Sequence, residues 1–78
     1  MSSEIQVYPT ERWDGEKWRE VFHVDSVAED SGALLLVTDD PAAAIARGEA
    51  EALAGGLPLH IDHSVRARLR LVESEGEA

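Results

Sequence analysis

The chain has 78 residues, a formal charge of −9 and no cysteine, which makes one small domain over residues 1–78 with no disulfide and no thiolate site. A domain of this size buries only about 60% of its unfolded surface and rarely encloses a substrate pocket of its own, so a non-enzymatic protein without a cofactor is expected. Small secreted domains usually carry disulfides, MSSEIQVY lacks the basic and apolar regions of a signal peptide, and the longest strongly apolar run, Ala33 to Val37, is too short to span a bilayer; a cytoplasmic protein is the expectation.

In chain order, Ile5 and Val7 alternate with Glu4, Gln6 and Tyr8, which predicts a strand over 4–12. Pro9 has no amide donor, so this strand is expected at a sheet edge or broken there. Asp14-Gly15 is a strong hairpin signal. Beyond it Trp18, Glu20, Phe22 and Val24 alternate with Arg19, Val21, His23 and Asp25, a second, antiparallel strand. Trp13 and Trp18 flank the turn, where an aromatic cross-strand pair contributes about 0.2–1 kcal/mol. After a turn over 28–32, Ala33 to Thr38 is apolar on both alternating faces, which predicts a central strand covered on both sides.

Asp39-Asp40-Pro41 marks a helix start, with Asp40 as cap and Pro41 at the first helical position. The helix runs to about Ala54, and Gly55-Gly56 ends it. Steps of 100° place Ala42, Ala43, Ile45, Ala46, Ala50, Ala52, Leu53 and Ala54 on one broad side, with Arg47, Gly48 and Glu51 opposite. So many alanines let the helix lie close on a sheet.

Leu57 to Val72 alternates without a break: Leu57, Leu59, Ile61, His63, Val65, Ala67, Leu69 and Leu71 against a row holding Arg66, Arg68 and Arg70. A period of two predicts a strand. Sixteen extended residues would run about 50 Å, against about 25–30 Å for a domain of this size. The stretch therefore turns or bulges near Asp62-His63-Ser64, or overhangs and pairs with a second copy as a homodimer. The resulting fold class is α+β: a small antiparallel sheet in the order β-β-β-α-β, the last strand long or split in two, with one helix on one face and frayed ends at 1–3 and 74–78.

Three constellations bear on function. The first is acidic: Glu11, Asp14, Glu16, Glu20, Asp25, Glu29 and Asp30 cluster on the hairpin and its exit loop. With Trp13 or Trp18 as an aromatic anchor, such a surface suits a protein partner with a basic face. In its narrowest form it mimics nucleic-acid phosphates, as small acidic regulators and phage-encoded inhibitors do through charge-steered association. The second is the row Arg66, Arg68, Arg70, which points to a nucleic-acid-binding module if free and to cross-strand pairs with Glu11, Glu16 or Glu20 if not. The third is His60 and Asp62 with His23, weak as a metal or catalytic set because too few donors converge. A subunit of a larger assembly is the remaining alternative.

Overall fold

The alternation in β1 (Glu4–Trp13) and β2 (Trp18–Val27) becomes an antiparallel ladder running from Glu4↔Val27 to Trp13↔Trp18. The computed structural model describes residues 3–76. After β2 come β3 (Gly32–Thr38), α1 (Pro41–Gly55), β4 (Leu59–Ile61) and α2 (His63–Gly76). The fold is α+β, a four-stranded mixed sheet in the order β3-β2-β1-β4. Its extents are 44 × 31 × 17 Å, flat because there are two layers. Ile5, Val7, Phe22 and Val24 project from one sheet face into a core completed by Ala44, Ile45, Ala52 and Val65 from the helices. Their neighbours Gln6, Tyr8, His23 and Asp25 share the opposite face.

Two strand placements differ from expectation. β1 lies inside the sheet, between β2 and β4. Pro9 is tolerated there because β4 pairs only with Ile5 to Val7. The Ile5 N–H bonds Pro58 O on the β4 side at 2.9 Å, and alternation turns the Pro9 nitrogen to that same side, beyond the end of β4. β3 is the second difference. Its apolar run predicts the centre of a sheet, yet it forms an edge. It pairs only with β2, from Phe22↔Thr38 to Val27↔Gly32, with a bulge that leaves Leu35 unpaired between Leu34 and Leu36.

α1 is built as its ends predict. The Asp40 carboxylate accepts the Ala42 N–H at 2.9 Å, Pro41 opens the helix, and Gly56 closes it at φ 61° while its N–H reaches back to Ala52 and Leu53. The helix carries the chain from the β3 edge to the β4 edge, crossing the whole sheet. Its buried line is Pro41, Ala44, Ile45, Gly48 and Ala52, rotated from the face that hydrophobicity alone selects. Leu53 is 85% exposed and Glu49 faces solvent. The reason is steric. A Cβ on Gly48 would stand 2.6 Å from Val7 Cγ2 and 3.3 Å from Leu59 Cδ1, so the helix axis comes closest to β1 where there is no side chain.

The stretch 57–72 is the main correction. Only Leu59–Ile61 is a strand, and it is parallel to β1. The chain does turn at Asp62, but into a helix. The Asp62 carboxylate accepts the Ser64 N–H at 2.9 Å and the Ser64 hydroxyl at 2.6 Å, which caps α2 and lowers the Asp62 pKa. Val65 is fully buried and Leu69 packs against the core. Burying a valine contributes about 1.5–3 kcal/mol, so Val65 is the main anchor of α2. Residues 74–76, expected to fray, continue this helix; residues 1–2 and 77–78, for which the same was expected, lie outside the described residues. Among the described residues no strand overhangs the sheet, so the structure offers no overhang for pairing with a second copy.

Gly48→Ala tests the close crossing. In an exposed helix this change stabilises by about 1 kcal/mol. Here the added methyl meets the stiff, buried Val7, and overpacking costs about 1–3 kcal/mol. Urea denaturation is expected to show a net loss of about 1 kcal/mol; a gain in stability would place the helix further from β1.

Candidate interaction surface

Both neighbours of the β1–β2 hairpin stop short of its tip. β4 ends opposite Val7 and β3 ends opposite Phe22. The remaining two-stranded ribbon, residues 11–20, is exposed throughout, and Thr10 to Trp13 alone extends about 10 Å. The turn is locked by Asp14. Its carboxylate accepts the Glu16 and Lys17 N–H groups at 2.8 and 2.9 Å and bonds the Arg19 guanidinium. Arg19 first, then the two amides, hold its pKa down at about 2. Gly15 takes φ 104° at the tip, a conformation that glycine adopts without strain.

Trp13 and Trp18 face each other across the last rung, ring centroids 5.6 Å apart at 65°, an edge-to-face pair. They stay 52% and 63% exposed. The rungs beneath them are like-charged, Arg12↔Arg19 and Glu11↔Glu20, an arrangement that destabilises a ribbon unless relieved. Relief comes from outside each rung. Arg19 turns to Asp14, and Glu20 is forked by Arg68 of α2 at 2.6 and 3.2 Å. Such a half-exposed ion pair is worth about 0–1 kcal/mol.

The predicted site residues are thus distributed rather than gathered. Trp13, Asp14, Glu16 and Trp18 share the ribbon, and Glu20 stands at its base, engaged by Arg68. Asp25 lies further along β2 on the open sheet face, and Glu29 and Asp30 lie in the loop at the far end of the sheet. β2 alone, from Trp18 to Val27, puts about 30 Å of strand between the ribbon and that loop. Arg12, Lys17 and Arg19 also interrupt the acidic row. The arginine row is broken by the helix: at 100° per residue Arg66 and Arg70 share a side, while Arg68 faces the ribbon and Glu20. His60, Asp62 and His23 are not brought together. His60 Nε2 lies 2.8 Å from Glu4 Oε2, Asp62 caps α2, His23 is on β2, and His63, which alternation set in the row of Leu59, Ile61 and Val65, is 99% exposed. Among the described residues no group of three or more His, Asp or Glu side chains is arranged to hold a metal.

One polar cluster escaped the sequence. The Tyr8 hydroxyl donates to Asp25 Oδ2 at 2.6 Å and lies 3.4 Å from His23 Nδ1, while Asp25 Oδ1 is buried without a hydrogen-bond partner among the described residues. The three residues are brought together by the Tyr8↔His23 rung and its neighbour Gln6↔Asp25. Strand parity was the available signal, since all three belong to the polar side of their strands. The cluster serves the open face as a hydrogen-bonded buttress: the Asp25 carboxylate holds the phenol neutral.

Among the described residues no helix is long and apolar enough to cross a membrane. No protein family matches the chain, and neither the curated proteins nor the solved structures contain a match to it.

Bonding to Asp25, then burial, raises the Tyr8 pKa from 10.0 to about 12. The raised value means that this contribution to stability is complete below pH 10 and is lost as pH rises through 12. Tyr8 is the single tyrosine, so phenolate absorbance reads it alone. The expected midpoint is near pH 12, falling toward 10 in Asp25→Asn; an unperturbed midpoint in the native chain would contradict the bond.

Proposed function

We propose that this chain is a small, acidic, non-enzymatic binding or regulatory protein of the cytoplasm, which engages a protein partner through the projecting β1–β2 ribbon. The observation that carries the reading is the Trp13–Trp18 pair, held edge to face and more than half exposed beyond the core. A large apolar pair on a projecting ribbon is costly to leave in water and is the kind of anchor that dominates binding energy once a partner covers it. Its two tryptophans brace one another before binding, which reduces the entropy lost on docking. The charge of −9 steers association toward a basic surface, and Glu11 and Glu16 flank the anchor.

The narrower form, an inhibitor standing in for nucleic-acid phosphates, draws less support, because its carboxylates are split between the two ends of the sheet. Nucleic-acid binding through Arg66, Arg68 and Arg70 draws less still, because Arg68 is engaged by Glu20.

A basic partner retained by the immobilised chain is expected to lose at least tenfold in affinity for Trp13→Ala/Trp18→Ala, the scale of a hot-spot pair, with circular dichroism showing the fold intact. Glu11→Lys/Glu16→Lys is expected to slow association and flatten its salt dependence. These positions are chosen over Glu20, whose reversal would also break the pair with Arg68. Equal retention by the tryptophan variant contradicts the reading.

A further inference from the structure

β3 has the composition of a central strand and the position of an edge. Its residues, Gly32–Thr38, read GALLLVT, with no charge and no proline. Leu35 and Leu36 pack toward the core. Leu34 and Val37, across from Asp25 and His23, belong to the open face, and Leu34 is 54% exposed. Edge strands are ordinarily blunted by lysine, proline, a covering element or a bulge. Here the bulge at Leu35 is the only such device on the strand. Alternation also fixes which backbone groups are vacant. Phe22 and Val24 turn theirs toward Thr38 and Leu36, so the Val37 N–H and C=O point away from β2. An apolar run expects cover on both sides, and one side has none among the described residues.

We propose that the β3 edge is a docking strand for an extended, uncharged segment of a partner protein carrying basic residues at both ends, which adds to the sheet as a fifth strand. Charge selects this occupant. Glu29 and Asp30 stand before β3, and Asp39 and Asp40 stand after it. A second copy of the chain pairing antiparallel about Leu35 would set Asp30 against the copy's Asp40 at both ends. A shift of register by one residue toward the N-terminal end sets Glu29 against the copy's Asp40 and Asp30 against its Asp39, and parallel pairing in register sets each carboxylate against its own copy. A segment with lysine or arginine at each end meets Glu29 and Asp30 at one end and, at the other, Asp39, which also lies within reach of Arg19. Backbone bonds to Val37 supply affinity, and alternate apolar side chains rest on Leu34 and Val37, the usual division of labour in strand addition. This edge lies on β3 and not on the ribbon, so the inference goes beyond the reading above and stands without it.

The test uses the whole isotope-labelled chain and two synthetic peptides of alternating valine and threonine, one with two lysines at each end and its twin with glutamates. The lysine peptide is expected to shift the amide signals of β3, to slow exchange of the Val37 amide at least tenfold, and to weaken with added salt. Leu34→Lys, which puts a like charge on an exposed position, is expected to cut the affinity tenfold or more. Val37→Pro, which removes the outward donor without a β2–β3 bond, is expected to do the same. Trp13→Ala/Trp18→Ala is expected to leave the response unchanged. The proposal is overturned if the lysine peptide leaves β3 untouched, or if the glutamate twin binds equally. It is also overturned if the tryptophan variant abolishes the response, or if the free chain is a dimer with Val37 already protected.

Discussion

The close seat of α1 on β1 is the constraint from which the rest follows. Gly48 leaves no side chain between the helix backbone and Val7, and Ala44 and Ala52 continue that line one turn either way. A helix seated so closely can cross the sheet from the β3 edge to the β4 edge within its fifteen residues. Its crossing makes β4 parallel to β1 and delivers the chain to Asp62, where α2 starts. α2 then fills the remaining gap with Val65 and braces the ribbon through Arg68 and Glu20.

With both helices on one side, the other sheet face is left to polar residues that satisfy one another. Tyr8 with Asp25, and His60 and Gln6 with Glu4, do this in adjacent rows. They make an uncovered face compatible with water without a second layer. Two features do not fit that economy. The ribbon extends a tryptophan pair past any cover, and β3 presents apolar side chains and vacant backbone groups at an edge. Both are departures from the local rule that apolar groups find cover, and such departures concentrate at sites of function.

Much of this was legible in the residues. The hairpin, the tryptophan pair across it, the Asp40 cap, the Gly56 stop and the β-β-β-α-β order are local signals, and each is set by neighbours in sequence. The failures are of two kinds. In 63–72 the alternation of Val65, Ala67, Leu69 and Leu71 imitates a strand, but the same stretch holds Val65 and Leu69 four apart, an Asp62 cap, and a majority of alanine, leucine and arginine, which favour a helix. Val65 and Leu69, four apart, satisfy period two and period 3.6 alike, and composition was the better guide. In β3 and α1 the difference is tertiary. Hydrophobicity placed the apolar run at the centre and Gly48 on the outside. Closeness of packing put Gly48 against β1, and strand order put β3 at the edge. Neither is encoded within the segment itself. The acidic residues are spread for a similar reason: nearness in sequence put Asp14 and Glu29 in one cluster, and the length of β2 separates them.

Amide hydrogen exchange of the isolated chain, resolved residue by residue, distinguishes a sheet closed by helices on one face and left open at β3 and at the ribbon from a sheet covered on every side. Slow exchange is expected for the paired amides of β1 and β2 near the core and for Leu36 and Thr38, and fast exchange for Val37 and for the ribbon tip. Helical protection is expected to run through 67–73. Val37 protected as strongly as Leu36, or a strand-like alternation of protection through 65–71, would contradict this arrangement.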